Sequence, residues 1–583
     1  MRRGPVNGLS KRSRARYAPV MASAFPSRVP AALGGSRRIG LLLTGFADDY
    51  EWSVRAGVQA EVSERRAALV SIAGCALEDP SPEQHVKSFV FELLTGDSVD
   101  ALVSLSSTVG RYIGPAAMGD WLERRALPVH GIGPTDHVAS IEVENTEGIA
   151  KLVRHLIAEH GHRRLAFVRG PEMSAEAEAR FQAYRAALAE GGLSYDPKLV
   201  LDGDFTHSGG VRAARRLFDE HQLGAADVDA IVCANDSLAI GVIEELVHRG
   251  VTVPDRIAVV GFDDARSSQS VHPSLTTVRQ PMEKLGRESV RALFALLDGQ
   301  PPPEAPPLPT ELILRRSCGC RPTDAAPAPA GLPREIEQIA RRTYAARHDG
   351  WDEALLQALV REARNRAGDF ERAFEPLLQR LLHAGIDLHP IQDLLTSLRT
   401  RALAVSFHDP PLQAEIEACI HAARVLVSRL QSRAGVASGV TDQTRIGALS
   451  HALNTRMFGP PALISAALVE HLPALGFDEC VVSELVPGST PPELQVAFGF
   501  HAEDVQPKST RYPASLLIPP DFTRLRTQSS IVIPLTYRTE ALGIAVLPSR
   551  PTDRRTYDLL RPVLSTALKG MQLARLAQRG IRY

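Results

Sequence analysis

From Arg38 to Phe262 the chain alternates short apolar or β-branched runs with stretches of amphipathic helical texture, and this alternation narrows the fold more than any other feature. Arg38–Thr44, Ala68–Ile72, Ala101–Leu105, Val129–Gly131, Leu165–Arg169, Leu199–Leu201, Ala230–Ala234 and Ile257–Phe262 read as strands. A run without polar alternation belongs to a strand covered on both faces, as in a parallel sheet with helices packed on either side. Tyr50–Ala67 and Pro82–Leu94 read as the first of those helices. The region is therefore α/β and doubly wound, and at about 280 residues it is long for one such sheet and comfortable for two.

The texture then changes. Residues 301–309 hold six prolines, followed by one strand-like run, Glu311–Arg315. Pro322, Pro327, Pro329 and Pro333 mark 321–333 as a Pro/Ala linker. Residues 334–445 are helical without a strand signal. Residues 446–583 read as an α+β domain, with strands Glu479–Leu485, Leu494–Phe500, Ser529–Tyr537 and Leu542–Leu547 before a closing helix. In that helix Leu560, Leu564, Ala567, Met571 and Ala574 fall at alternating four- and three-residue steps, which makes a seam for another helix. The first half of the seam is expected to pack on its own sheet and the part beyond Lys569 on a partner chain.

Composition removes several functions. A formal net charge of −1 creates no global field for nucleic acid or anionic membrane. No run of apolar residues is long enough to span a bilayer. Residues 1–36 carry seven basic side chains (Arg2, Arg3, Lys11, Arg12, Arg14, Arg16, Arg28) and no acid. They read as a disordered tail or an overextended start before Met21, with a nucleic-acid arm as the other reading. No apolar segment of signal-peptide type follows these charges, which counts against a secreted transport component. Six scattered cysteines suggest no disulfide framework, and a reducing cytoplasm is expected.

The segment Asp229–Asp264, DAIVCANDSLAIGVIEELVHRGVTVPDRIAVVGFDD, holds two buried strands that end in polar loops, Asn235-Asp236 and Asp263-Asp264. Ligands of open α/β sheets bind at that carboxyl edge. Helix capping by Asp236 and Asp264 would leave the same pattern.

Longer segments break the tie. VVGFDDARSSQSVHPSLTTVRQP (Val259–Pro281), HLIAEHGHRRLAFVRGP (His155–Pro171), ARFQAYRAALAEGGL (Ala179–Leu193), GDFTHSGG (Gly203–Gly210) and ELILRRSC (Glu311–Cys318) occur in this order. Together they closely resemble the effector-binding domain of the lactose/galactose-repressor (LacI/GalR) family. The resemblance implies a type I periplasmic-binding-protein-like fold over 37–320: two Rossmann-like lobes, three crossover strands and a ligand in the cleft. It also implies ligand contacts. Arg180 matches the arginine of the R-L-A-G-F motif, Asp263 the first aspartate of the G-[YF]-D-D turn, and Phe205 the aromatic ring against the ligand. Asn235 offers a donor and an acceptor for a vicinal diol. In the first lobe the family's N-P-F-F turn is replaced by Asp48-Asp49-Tyr50-Glu51-Trp52, so Tyr50 and Trp52 are the aromatic candidates, with Ser107 at the end of the third strand. The residues 446–583 resemble a GAF domain through SIVIPLTYRTEALGIAVL (Ser530–Leu547).

No catalytic residue, cofactor or metal site is expected. His155, His160 and His162 have metal-like spacing, but Gly161 reads as a helix C-cap and the imidazoles as complements to the helix dipole. Cys318-Gly-Cys320 is one thiol pair with no second pair or nearby histidine in sequence to complete a tetrahedron. The expected protein is a non-enzymatic, cytoplasmic sensor of a sugar or similar polar metabolite, a homodimer that signals through lobe closure to an unidentified protein partner. The alternative is a transcription regulator that binds specific DNA. Against it, the family's helix-turn-helix and hinge need more than the 36 proline-broken residues before the first strand.

Overall fold

A computed structural model describes residues 37–46, 48–302, 306–320, 351–365, 369–383, 389–406, 409–501, 509–550 and 555–578. The basic tail and the 321–333 linker lie outside these residues.

The first lobe is a parallel sheet of β1 (Arg38–Leu43), β2 (Ala68–Ala73), β3 (Ala101–Leu105), β4 (Val129–Ile132) and β5 (Ser140–Ile141), in the order β2-β1-β3-β4-β5. The second is a parallel sheet of β6 (Leu165–Val168), β7 (Val200–Leu201), β8 (Ala230–Cys233) and β9 (Ala258–Val260), in the order β7-β6-β8-β9. These strands are almost wholly buried, because helices cover both faces of each sheet. The expected helix over Pro82–Leu94 is broken into Pro82–His85, a 3₁₀ turn Val86–Ser88 and Phe89–Glu92.

Three segments cross between the lobes. The first leaves β5 and enters the helix Thr146–Ala158, which packs in the second lobe. The second returns from β10 (Thr277–Arg279) through Gln280 to the helix Met282–Leu297, packed in the first lobe. The third passes Leu308, bridged to Val143, and runs into β11 (Glu311–Ile313), which pairs with β10.

The C-terminal α+β domain has an antiparallel sheet of β12 (Cys480–Leu485), β13 (Glu493–Phe500), β14 (Arg511–Pro513), β15 (Ser530–Tyr537) and β16 (Glu540–Pro548), ordered β14-β13-β12-β16-β15. Its edge strand β15 pairs in parallel with β2 of the first lobe, through Ser530–Val70, Ile531–Ser71 and Val532–Ile72. The two domains thus share one ten-stranded sheet. One core runs through both, from Ile39 and Val54 to Ile531, Tyr557 and Leu564.

Arg55, almost fully buried, clamps the junction. Its Nε donates to Ser71 Oγ at 3.1 Å, its Nη2 donates to Ser549 Oγ across the boundary, and its guanidinium lies 4.8 Å from the Trp52 ring. Burial with few partners lowers its pKa to about 10.

Helices Trp351–Asn365, Asp369–His383 and His389–Val405 form a separate core with the first part of the helix Pro410–Arg456. That last helix runs across the expected boundary at 445, and its Ile446, Leu449 and Leu453 belong to the core shared with the sensor. The closing helix Arg555–Gln578 packs on it, so Leu560, Leu564, Ala567 and Met571 are buried within this chain. Beyond Lys569 the seam expected to face a partner starts with Met571 already covered.

Candidate functional site

The carboxyl ends of β6, β8 and β9 lie on the side of the second lobe that meets the first, where Ser267 bonds Asp49. Three non-glycine residues on this side adopt positive φ: Phe205 (64°), Asp263 (130°) and Asp264 (57°). Such strain persists only where surroundings over-determine it, and it gathers at ligand clamps. Here Asp263 is fixed by its N–H to the Val278 carbonyl at 2.8 Å and by Gln280 Nε2 donating to its Oδ1 at 2.6 Å. Gln280 lies on the second crossover, so the turn that carries Asp263 is bonded directly to the hinge.

Arg180 stands on the helix Ala175–Glu190 and is 3% exposed. Its Nε donates to Asn145 Oδ1 at 2.9 Å and its Nη1 to the Ala234 carbonyl at 2.8 Å. The guanidinium stacks on Phe262 at 3.8 Å and lies 5.8 Å from the Phe205 ring. Nη2 has no acceptor among the described residues, so with the second Nη1 hydrogen three of the five N–H donors remain for a ligand. The Phe205 ring rests on Gly170, where a Cβ would come within 2.4 Å of it.

From the first lobe, Tyr50 and Ser107 reach the same space. Tyr50 interacts electrostatically with Glu176, Asp263 and Arg180, and burial first, then the Glu176 carboxylate, pushes its pKa far up. Ser107 Oγ is buried beside the Tyr50 hydroxyl and the Glu176 carboxylate, where a ligand hydroxyl could join the same group of donors and acceptors. The lobes touch at this level through Ser267 N–H donating to Asp49 Oδ2 at 3.1 Å.

Two candidates have other surroundings. Asn235 accepts the Leu238 N–H at 3.0 Å as the N-cap of its helix and donates to the Phe205 carbonyl at 3.1 Å, so it positions Phe205. Trp52 turns away from the cleft and meets Phe46 edge-on at 6.2 Å in the junction with the C-terminal domain. The capping alternative for Asp236 and Asp264 does not hold, since Asn235 and Ala265 stand at those N-caps. Asp264 pairs with Arg279 at 2.7 Å and with Arg315. Asp236 accepts from Thr277 Oγ1 at 2.6 Å and from the Ala265 N–H at 2.9 Å.

Sequence reasoning missed Glu176. It lies one turn before Arg180 on the same helix face, so helical spacing from Arg180 could have found it. Burial raises the pKa of its carboxyl, and the Arg180 charge opposes that shift. Phe205, Arg180, Glu176, Asp263, Tyr50 and Ser107 together offer an apolar face with donors and acceptors on both sides, which suits a polyhydroxylated ligand.

The fully buried Asp236 makes a pH prediction. Burial raises its pKa from 3.8 to about 7. Between those values the folded chain holds a proton that the unfolded chain has released, so this contribution to stability is complete at acid pH and is lost as pH rises through about 7. The stability of wild type minus that of Asp236→Asn, from urea melts, should therefore fall across this window. A flat difference would mean that the carboxyl ionises normally in the folded protein.

The structure gathers His155, His160, Cys318 and Cys320, with their ligand atoms all within 4.8 Å of one another, and leaves His162 outside the group. The missing half of each pair lay about 160 residues away in sequence.

Fold and cleft define a two-lobed sensor of the periplasmic-binding-protein class, and residues 153–318 match the family described as a periplasmic binding protein-like domain. The HTH-type transcriptional regulator CelR of Thermobifida fusca is 33% identical over 277 residues, covering 47% of this chain and 77% of its own length. The HTH-type transcriptional repressor CytR of Escherichia coli is 28% identical over 269 residues, covering 46% and 74%. A solved structure of the CelR–cellobiose complex is 30% identical, with a TM-score of 0.42, and covers 48% of this chain and 85% of that one. The chain belongs to the LacI family of regulators. Among the described residues no helix is long and apolar enough to cross a membrane.

Proposed function

We propose that this chain is a cytoplasmic, homodimeric transcription regulator of LacI type that senses a sugar or similar polyol between its lobes. The observation that carries the sensing half is Arg180, anchored by Asn145 and Ala234 while its Nη2 stays available beside Phe205 and Asp263. Ligand that bridges Tyr50 and Ser107 to Arg180 and Asp263 favours the closed lobes, because only there can both walls bond it. Closure moves Gln280 with Asp263, and the β2–β15 pairing carries first-lobe motion into the C-terminal domain. In this dimer the β2 edge is unavailable to a second copy, since β15 occupies it.

The matched relatives are transcription regulators, which favours DNA as the target over a protein partner alone. The test is selection from a genomic fragment library by the purified protein at two salt concentrations. Discrete sequences should be enriched and persist at the higher salt, since base contacts add to the phosphate term. Binding without sequence preference that fades steeply with salt would return the chain to signalling through a protein partner.

A further inference from the structure

We propose that His155, His160, Cys318 and Cys320 form a tetrahedral zinc site that fastens the carboxyl end of the sensor domain to its second lobe.

Four of the six separations between ligand atoms are close to those of a coordination shell, and all six fall within 4.8 Å. His155 Nε2 and His160 Nε2 are 3.2 Å apart, and Cys320 Sγ lies 3.3 Å and 3.4 Å from them. Cys318 Sγ lies 3.8 Å from His155 Nε2. Ligands at zinc–nitrogen and zinc–sulfur bond lengths on a tetrahedron would be separated by roughly 3.3–3.8 Å. Two thiolates and two neutral imidazoles bind a zinc ion with no net charge, and the two thiol protons leave to solvent.

The surrounding chain holds these atoms in place. The helix Thr146–Ala158 carries His155 in its last turn. Gly161 follows in the left-handed region, at φ 68°, where the chain reverses and the His160 ring returns to within 5.0 Å of the His155 ring. On the other side, Ser317 Oγ accepts from the Thr276 N–H at 2.8 Å and donates to the Val259 carbonyl at 2.5 Å. Thr276 Oγ1 donates to Cys318 Sγ at 3.0 Å, a bond that suits a thiolate. Gly319, at φ 100°, makes the turn that returns Cys320 to the cluster.

The position gives the site a consequence. Cys320 directly precedes the proline-rich 321–333 stretch, so the ion would fix where the chain leaves the second lobe. Beside it, Arg316, Gly319 and Cys320 face Arg399, Glu417 and Arg424 of the helical region across a cleft of about 700 Å³.

The test uses full-length protein purified under reducing conditions without chelator, with metals measured by mass spectrometry. About one zinc per chain is expected, falling at least about ten-fold in the Cys318→Ser/Cys320→Ser variant. Should that variant not fold, wild-type protein stripped of metal is titrated with cobalt(II). A tetrahedral site with two thiolates then shows intense visible bands and thiolate-to-cobalt charge transfer, both abolished by zinc. Wild-type protein holding under about a tenth of an equivalent of zinc and giving no such bands overturns the proposal. So does a folded double variant that keeps its zinc.

Discussion

Replacing Phe46 by alanine is expected to cost about 3–5 kcal/mol, the range for deleting a buried aromatic ring from a core that cannot close around the hole. Phe46 is fully buried between β1 and the first helix of the sensor. Its ring lies 5.3 Å from that of Tyr557 and 6.2 Å from that of Trp52, and its N–H donates to Asp558 Oδ2 at 3.3 Å. Both Tyr557 and Asp558 stand on the closing helix, so the loss falls on the junction between sensor and C-terminal domain. The C-terminal domain should then melt apart from the sensor. Denaturation followed by Trp fluorescence and by circular dichroism should give transitions that separate in the variant. A loss under about 1 kcal/mol with coincident transitions would show that the ring cluster does not hold the junction.

Arg180→Ala is expected to weaken effector binding by about 2–4 kcal/mol, the scale for lost hydrogen bonds to a charged group plus the partners left unpaired. That is roughly thirty- to several-hundred-fold in affinity. The effector is the sugar that raises the melting temperature most in a panel of monosaccharides and disaccharides. Arg180→Lys keeps the charge but loses the fork that spans Asn145, the Ala234 carbonyl and the cleft, so it should recover only part of the loss. Asp263→Ala should weaken binding on the same scale. Unchanged affinity in both alanine variants would remove this cleft as the effector site.

Much of the sensor was legible in the chain. Strands such as Ala101–Leu105 are read from sequence because a run buried on both faces carries its signature in consecutive residues. Arg180 and Asp263 were proposed from the family resemblance, which places each within a short motif, and the variants above test their role. Asn235 shows the limit of that reading. Its place in the cleft was predicted, but local hydrogen bonding to Leu238 and Phe205 engages its amide.

The short strands β5 and β10 hold two and three residues, too few for a periodic signal, and although β11 lies in the strand-like run Glu311–Arg315, that these segments cross between lobes came from resemblance alone. By itself the sequence determined the strands, the helices and the polar ends of the second lobe, all set by neighbours a few residues apart. Only the tertiary structure decided that β15 joins β2, that Phe46 meets Tyr557, and that His155 and His160 meet Cys318 and Cys320. In each case the partner is chosen by which buried edge, ring or ligand atom chain closure brings near. No local pattern encodes that choice across more than 150 residues of intervening chain.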